Sequence, residues 1–336
     1  MLITKIYKPS EFNEAAKELR LGELVAFPTE TVYGLGADAT NEQAVKRVYL
    51  AKGRPSDNPL IVTVSSLEMV KRFVPSLSKE VEKIIEKFWP GSLTIVLKIK
   101  DGSLSKTVTG GLRTAAFRMP KNETTLNLIT ALGNPIVGPS ANSSGKPSPT
   151  TAQHVYHDLE GRIAGILDDG PTDVGVESTI IDMSTEIPTI LRPGAVTAEE
   201  IEKVIGKEVY NDKHKVKENE IPKAPGMKYK HYAPSAQVLI VNKDNWNSAL
   251  QWANENKNQV GILADDEVLS KALENKTYSL GENVESAAKN LFAGLRYFDD
   301  DNQIKYILAE AFPEEGVGLA YMNRLKKSAG NQFYNK

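Results

Sequence analysis

The sequence contains no cysteine and only four histidines, and both shortages limit the chemistry available to the chain. Without cysteine there is no disulfide, no thiolate nucleophile and no Cys-ligated zinc. None of the histidines lies in the polar loops between residues 28 and 142, so those loops cannot build a Ser-His-Asp triad or a His-ligated metal site. His154 and His157 are one helical turn apart, but no third ligand is evident, and we interpret them as part of an exposed helix face.

Long apolar runs and a strong charge of one sign are also missing. No apolar run approaches the ~20 residues that a bilayer-spanning helix needs, and the N-terminal segment becomes charged within a few residues. We therefore expect neither secretion nor membrane insertion, and we expect the chain in the cytoplasm. The formal net charge of −2 gives no global basic field, so tight non-specific binding of nucleic acid is not expected.

The apolar pattern predicts an α/β fold, because short runs rich in Val, Ile and Leu alternate with amphipathic stretches. Strands are predicted at 24–27, 60–64, 93–99, 115–118, 135–138, 163–167, 178–182 and 189–192, and helices at 11–20, 42–51, 79–88, 124–132 and 198–205. Between residues 208 and 234 the pattern breaks into Lys-rich sequence with several prolines, which is typical of a linker. Strands at 238–241, 260–263 and 304–308 then alternate with helices at 246–256, 284–298 and 317–329. We predict one domain over 1–207, a linker over 208–235 and a small βαβ-type domain over 236–336.

Two polar segments of the first domain have the composition of ligand-binding loops. Pro28–Gly36 follows a predicted strand, and its glycines, threonines and tyrosine permit close backbone approach to a ligand, although a solvated loop explains it equally well. Lys52–Pro59 brings two cations out of a helix into a proline-bounded loop, which suits phosphate oxygens. The alternative is that Lys52 and Arg54 only complement the helix dipole. We expect both to be exposed, so that their removal costs little stability.

A third polar segment, Gly138–Ser148, superficially resembles a P-loop. Six residues separate Gly138 from Gly145 where a P-loop has four, and Pro147 replaces the hydroxyl residue after the lysine. A Walker-type NTPase is therefore a poor interpretation of this segment. What remains is a turn rich in hydroxyls and amides that can wrap an anion, or a Ser/Asn loop without a ligand.

Further polar residues fall at strand ends, where open α/β sheets usually bind ligands. Arg118 and Arg192 each end a predicted strand, and Glu177–Asp182 begins one with polar residues. Each arginine taken alone is more simply explained by a surface ion pair.

Taken in order, these motifs resemble a known family. Five motifs resemble those of the YrdC domain, namely Pro28–Gly36, Lys52–Pro59, Ser140–Asn142, Glu177–Ile181 and Leu191–Gly194. The segment Pro225–Pro234, followed by a second α/β domain ending in Gly316–Arg324, resembles the two-domain Sua5 form. The match runs nearly end to end, so the chain is similar to the Sua5/YrdC/YciO family as a whole.

The resemblance implies an open, twisted sheet with a concave positive face, followed by a smaller Rossmann-like domain. It implies synthesis of threonylcarbamoyl-AMP and pyrophosphate from L-threonine, bicarbonate and ATP, with Mg²⁺ accompanying ATP. The product serves modification of an adenosine beside the tRNA anticodon. Separate transfer machinery would receive the product, with weak tRNA contact at most and no membrane partner.

The resemblance also implies a role for each of several residues. The catalytic residues would be Lys52, Arg54, Ser140 and Asn142. ATP would contact Arg54, Asn58, Thr114, Ser140, Ser148, Arg192 and Tyr232, the last reaching back from the linker as part of a lid. Threonine would contact Thr31, Thr63, Arg118, Ser178 and a backbone group near Gly138. No protein side chain is assigned to a metal. Relatives often have histidine where this chain has Thr63, which cannot carry a positive charge.

Two other interpretations stay open. The first is a module that binds structured RNA through Lys and Arg phosphate contacts and has no chemistry of its own. The second is a carbamoyl-transferring maturation enzyme with the same fold. That class would carry additional zinc-finger or acylphosphatase-like segments, and a chain without cysteine has no such zinc finger.

Overall fold

The computed structural model describes residues 2–56, 58–211, 222–223, 232–272 and 274–335. These residues form two units. The first contains the described residues within 1–144, 149–172 and 177–228, and the second contains those within 145–148, 173–176 and 229–336. The predicted domain limits stay predictions, because most of the predicted linker, residues 212–221 and 224–231, lies outside the described residues.

The first unit is built on a mixed sheet. Its strands are β1 Lys5–Tyr7, β2 Val25–Phe27, β3 Gly34–Asp38, β4 Ile61–Thr63, β5 Leu93–Lys98, β6 Thr114–Arg118, β7 Ile136–Val137, β8 Gly165–Leu167, β9 Thr179–Asp182, β10 Thr189–Arg192 and β11 Tyr210–Asn211. Within the described residues the strand order is β1-β8-β2-β3-β7-β4-β6-β5-β9-β10-β11. Parallel pairs such as β4–β6 stand beside antiparallel pairs such as β5–β6.

The helices of the first unit mostly begin at a side-chain cap. They are α1 Phe12–Arg20, α2 Glu42–Lys52, α3 Leu67–Lys71, α4 Lys79–Phe88, α5 Lys106–Thr109, α6 Glu123–Leu132, α7 Ala152–Leu159 and α8 Ala198–Ile205. Thr197 and Glu200 form the predicted capping box before α8. Gly53 ends α2 in the left-handed conformation, with φ of 63°, which glycine adopts without strain.

The second unit is a four-stranded parallel sheet with helices between the strands. Its elements are β12 Gln237–Val241, α9 Trp246–Glu255, β13 Val260–Ala264, α10 Asp266–Leu269, β14 Lys276–Ser279, α11 Val284–Asp299, β15 Tyr306–Glu310 and α12 Val317–Ala329. The strand order is β12-β15-β13-β14. A buried cluster joins α9 to the sheet, as at Trp246, Leu250, Ile262 and Leu308.

The α/β fold class predicted from the sequence is confirmed in both units, and the predicted strands and helices are all present within a few residues. Several short elements were not predicted: β1, β3, β11, β14, α3, α5 and α10. Helix α7 carries the helix face inferred from His154 and His157. No helix in the described part of the chain is long and apolar enough to cross a membrane. The cytoplasmic location stays a prediction.

Candidate active site

One face of the first unit's sheet carries several of the predicted site residues. Because successive side chains of a strand point to opposite faces, each strand contributes every second residue to a given face. On β4, β6, β5, β9 and β10, which are neighbours in the sheet, one face holds the small buried cluster Ile61, Val96, Ala116, Ile180 and Leu191. We call this the site face. The residues between them, such as Val62 and Phe117, belong to the main core on the other face.

Strand register brings three predicted residues onto the site face. Thr63 and Arg118 are partners across β4 and β6, two residues beyond Ile61 and Ala116. On β10 a register shift between Ile190 and Arg192 makes Arg192 the partner of Ile180. This irregularity allows Arg192 to share a face with its neighbour Leu191, which strict alternation would forbid.

Arg118 is buried and held by three acceptors. Its Nη1 donates to Thr31 Oγ1 at 2.8 Å, its Nη2 donates to Glu30 Oε1 at 2.7 Å and its Nε donates to the Gly91 carbonyl at 3.2 Å. The side chains of Arg118 and Glu30 are only 8% and 7% exposed. A guanidinium has five N–H groups, so this fixed orientation still leaves donors for a planar anion such as a carboxylate.

Glu30 is a residue of the site that the sequence analysis missed. Besides Arg118, its carboxylate accepts from Ser92 Oγ and from the Lys121 backbone N–H, each at 3.0 Å. Three donors compensate the buried charge. The available signal was that Glu30 is the only acidic residue in the loop Pro28–Gly36.

Ser178 joins the residues predicted for threonine to one predicted for ATP. Its Oγ lies 2.8 Å from Thr94 Oγ1, and Arg192 donates from Nη2 to the same Oγ at 3.2 Å. Arg192 also donates from Nε and Nη2 to the Ser178 carbonyl, at 3.1 and 3.0 Å. The two predicted subsites therefore adjoin at this contact.

Gly138 lies against Thr63, as the predicted grouping of these two residues requires. A Cβ placed on Gly138 would lie 2.7 Å from Thr63 Oγ1 and 2.9 Å from Phe27 Cζ. Packing alone therefore requires glycine at this position, whether or not a ligand approaches its backbone.

The predicted catalytic residues Lys52, Ser140 and Asn142 form one bonded cluster. Lys52 Nζ donates to the Ser140 carbonyl, to the Asn142 carbonyl at 2.6 Å and to Asn142 Oδ1 at 3.5 Å. Ser140 Oγ donates to Asn142 Oδ1 at 2.5 Å. These acceptors are uncharged, so they orient the ammonium group without cancelling its charge.

The expectation that Lys52 is an exposed helix-end cation is wrong. Lys52 is 4% exposed, and its side chain turns inward from the last turn of α2 to reach the Ser140–Asn142 turn. Removing it would leave carbonyl groups without a donor, which costs more than the loss of a dipole interaction at the surface.

The loop after Lys52 is shaped by Tyr49, one helical turn earlier on α2. The Tyr49 hydroxyl lies within hydrogen-bonding distance of two carbonyl oxygens, that of Asn58 at 2.7 Å and that of Thr107 at 3.0 Å. The Arg54 guanidinium lies 5.9 Å from the centre of the Tyr49 ring, within cation–π range. Tyr49 thus contacts two residues of the predicted phosphate loop, Arg54 and Asn58, and its role was not predicted from the sequence.

Asn58 presents a buried amide that no described residue satisfies. The side chain is 1% exposed, and neither its Oδ1 nor its Nδ2 has a hydrogen-bond partner among the described residues. An unsatisfied buried amide costs roughly 1–3 kcal/mol, which a bound ligand with donors and acceptors would recover. Strands β4 and β6 are parallel, and Asn58 lies just before β4 while Thr114 is the first residue of β6. The two residues are therefore at the same end of these strands. Thr114 and Arg118 are four residues apart on one face, or about 13 Å at the usual rise of a strand.

The remaining two predicted residues belong to the second unit. Ser148 is fully buried, and Tyr232 is 5% exposed with its ring 5.0 Å from that of Phe292. The lid role of Tyr232 stays a prediction, because residues 224–231 lie outside the described residues.

The Lys52 cluster lacks the carboxylates that would suit Mg²⁺. Among the described residues no group of three or more His, Asp or Glu side chains could hold a metal ion, and the Lys52 cluster offers an ammonium, a hydroxyl and an amide. Mg²⁺ prefers carboxylates and substrate phosphates. His154 Nδ1 lies 3.3 Å from Thr150 Oγ1, and the exposed His157 has its Nδ1 3.0 Å from Asp158 Oδ1.

Comparison with known proteins identifies the family. The Sua5/YciO/YrdC family model, described as telomere recombination, matches residues 17–194. A second model, described as the C-terminal domain of threonylcarbamoyl-AMP synthase, matches residues 196–330. The threonylcarbamoyl-AMP synthase of Bacillus subtilis (strain 168) is 48% identical over 323 residues, which cover 95% of this chain and 93% of the relative.

Solved structures extend the comparison to the fold. The crystal structure of Pyrococcus abyssi Sua5 complexed with L-threonine has a TM-score of 0.90 and 43% identity, covering 98% of both chains. Escherichia coli YciO, at 20% identity and a TM-score of 0.54, covers 60% of this chain and shares the fold. The chain therefore belongs to the Sua5/YrdC/YciO family, in its two-domain form.

Proposed function

We propose that this chain is a threonylcarbamoyl-AMP synthase, which forms threonylcarbamoyl-AMP and pyrophosphate from L-threonine, bicarbonate and ATP. The named relative from B. subtilis supports this over nearly the whole chain, and the structural relative was solved with L-threonine. By reaction type the enzyme would be a nucleotidyltransferase.

One observation carries the proposal most directly. Lys52 is buried and reaches Asn142, 90 positions further along the sequence. It forms a positively charged cluster with the hydroxyl side chain of Ser140 and the amide side chain of Asn142. Nucleotidyl transfer depends mainly on positioning and on stabilising charge at phosphate oxygens, and it needs neither histidine nor cysteine. The cluster has the composition that this chemistry requires.

The proposed reaction has two steps. The threonine amine attacks bicarbonate and loses water, which gives a carbamate. A carbamate oxygen then attacks the α-phosphorus of ATP; the new O–P bond forms as the bond to the bridging oxygen breaks, and pyrophosphate leaves with that electron pair. Lys52 would stabilise charge on the phosphate oxygens. Mg²⁺ bound to ATP would supply further charge neutralisation.

Threonine and ATP would lie along the site face. Arg118 would bind the threonine carboxylate, with Thr31, Thr63, Ser178 and the backbone near Gly138 around the rest of the amino acid. Arg54, Asn58, Thr114 and Ser148 would contact ATP, together with Tyr232. The contact between Ser178 and Arg192 would lie where the carbamate meets the α-phosphate.

The product would pass to separate transfer machinery that modifies an adenosine beside the tRNA anticodon. A module that only binds structured RNA is not favoured, because phosphate contacts from Lys and Arg would make no use of the hydroxyls of Thr31, Ser140 and Ser178.

The proposal is tested by mixing the protein with labelled ATP, bicarbonate and single amino acids. We expect pyrophosphate and a new adenylate only when threonine and bicarbonate are both present, since the carbamate is the nucleophile. Equal ATP turnover with both omitted would contradict the proposed chemistry.

A further inference from the structure

Two short segments that interrupt the first unit in sequence belong to the second unit. They are Gly145–Ser148, which follows the Ser140–Asn142 turn, and Asp173–Val176, which precedes Ser178. Both contact helix α11.

One face of α11 makes these contacts. Lys289, Phe292, Arg296 and Asp299 are spaced by three, four and three residues, which places them on one side of the helix. Leu291, Leu295 and Phe298 lie further round the helix and are fully buried. The helix therefore has a core face and a separate face for the two segments.

The first segment contacts α11 through Lys146 and Pro147. Arg296, which is 5% exposed, donates from Nε at 3.2 Å and from Nη2 at 2.6 Å to the Pro147 carbonyl. Lys146 lies 3.7 Å from the Asp299 carboxylate. The Ala233 backbone N–H donates to the Gly145 carbonyl at 2.9 Å, next to Tyr232, whose ring packs on Phe292 of the same helix.

The second segment touches the backbone of α11. Gly175 has a φ of 76°, and a Cβ there would lie 2.3 Å from the Lys289 carbonyl oxygen and 2.4 Å from its Cα. Only glycine permits this approach.

Chain connectivity links both segments to predicted site residues. The Ser144 backbone N–H donates to the Lys52 carbonyl at 2.8 Å, and the next residue begins the first segment. Gly175 is three residues before Ser178. A displacement of either segment is therefore transmitted along a few peptide bonds to one end of the site.

We propose that α11 is a common anchor for the two segments, and that Arg296 is a positioning residue for the Ser140–Asn142 turn. The kinetic part of this inference rests on the proposed function. Arg296 positions the Ser140–Asn142 turn, which is predicted to take part in ATP chemistry. The contact of Gly175 with α11 positions Ser178, which is predicted to bind threonine.

The test uses the full chain with Arg296→Ala, Arg296→Lys and Gly175→Ala. Gly170→Ala is the matched control, because Gly170 has a similar φ of 80° but no atom within 4 Å of its added Cβ. Hydrogen exchange of residues 140–148 and 173–180 is measured beside steady-state kinetics and melting temperature.

We expect Arg296→Ala to speed hydrogen exchange at residues 144–148, because the variant loses two charge-assisted hydrogen bonds to the Pro147 carbonyl. We also expect kcat/KM for ATP to fall by roughly 10- to 100-fold. Arg296→Lys should recover part of this loss. Gly175→Ala should speed exchange at 173–180 and raise the KM for threonine, whereas Gly170→Ala should do neither.

Wild-type exchange and kinetics in both Arg296→Ala and Gly175→Ala would overturn the anchor. So would equal losses in Gly170→Ala, because they would mean that general destabilisation is responsible. If the wild type forms no adenylate, the proposed function fails, and the exchange data alone still decide the anchor.

Discussion

The Lys52 cluster and the Arg118 cluster are both built around a buried cation, but they treat its charge differently. Lys52 donates to carbonyl and amide oxygens of the Ser140–Asn142 turn, which are uncharged. Arg118 forms an ion pair with Glu30 at 2.7 Å and a hydrogen bond to Thr31. The first arrangement preserves positive potential, whereas the second largely neutralises it and fixes the direction of the remaining donors.

This difference matches ATP and threonine, two of the three substrates of the proposed reaction. A triphosphate carries several charges, and charge stabilisation in the transition state dominates its chemistry. Threonine is a small zwitterion that must be recognised by shape and direction, for which a planar, preorganised guanidinium is suited. We infer that Lys52 acts chiefly through charge and Arg118 chiefly through geometry.

The largest expected effect comes from Lys52→Ala. We expect kcat/KM for ATP to fall by roughly 10²-fold or more, because charge on the phosphate oxygens is no longer stabilised. Lys46→Ala is the control, since Lys46 is on the same helix but is exposed, and its Nζ lies 3.3 Å from Glu42 Oε1. Steady-state assays and threonine binding check the result, and equal kinetics in the two variants would contradict a catalytic Lys52.

Arg118→Lys keeps the charge and removes the planar fork. We expect the KM for threonine to rise by roughly 10- to 100-fold with little change in the KM for ATP, because lysine cannot reproduce the bonds to Glu30, Thr31 and a carboxylate together. Varying each substrate at saturating levels of the other measures both constants. An unchanged KM for threonine would show that charge alone suffices at this end.

Replacing the substrate rather than the protein gives a smaller effect. Serine lacks the methyl group that the pocket around Thr31 and Ser178 would enclose, and one methyl is worth ~1–3 kcal/mol. We expect serine to react with a kcat/KM reduced by roughly tenfold or somewhat more. Full exclusion of serine, or none, would each be inconsistent with a pocket of this kind.

Glu310 is a buried glutamate of the second unit. The Glu310 carboxylate accepts from the Asp265 backbone N–H at 2.7 Å, and burial raises its pKa to about 7. A carboxyl whose pKa is higher in the folded than in the unfolded state stabilises the fold at low pH, and that stabilisation is lost as pH rises through about 7.

The free energy of unfolding of Glu310→Gln should therefore increase relative to that of the wild type as pH rises from 5 to 8.5, by an amount on the order of 1–2 kcal/mol. Activity should change little. Glu30→Gln should lose stability by about 3 kcal/mol at pH 8, because it breaks a buried ion pair. Denaturant unfolding of the full chain at several pH values checks both. A pH-independent difference between Glu310→Gln and the wild type would contradict the raised pKa.

Local patterns in the sequence predicted the regular elements well where hydrophobic period and caps agree. Helices α4 and α8 begin and end as predicted, and α8 has its capping box. Strand β3 was missed because two of its five residues are glycines, which have low strand propensity. Its glycines are needed because a Cβ on Gly34 would lie 2.4 Å from the Phe27 ring, a contact that sequence alone does not show.

The site itself was reachable only in part. The family resemblance supplied the residue names, but not their pairings, because Arg118 and Glu30 are 88 positions apart and Lys52 and Asn142 are 90 apart. No local pattern contains such contacts. For the same reason the burial of Lys52 and the support from Tyr49 were not predicted.

The most direct test of the account is to measure equilibrium binding of threonine and of a non-hydrolysable ATP analogue to Lys52→Ala and Arg118→Lys, by calorimetry on the full chain. The account predicts a crossed pattern: Lys52→Ala weakens the nucleotide analogue and leaves threonine nearly unchanged, whereas Arg118→Lys weakens threonine and leaves the analogue nearly unchanged. Parallel losses of both ligands in both variants, in proteins that remain folded, would contradict the division of labour between the two clusters.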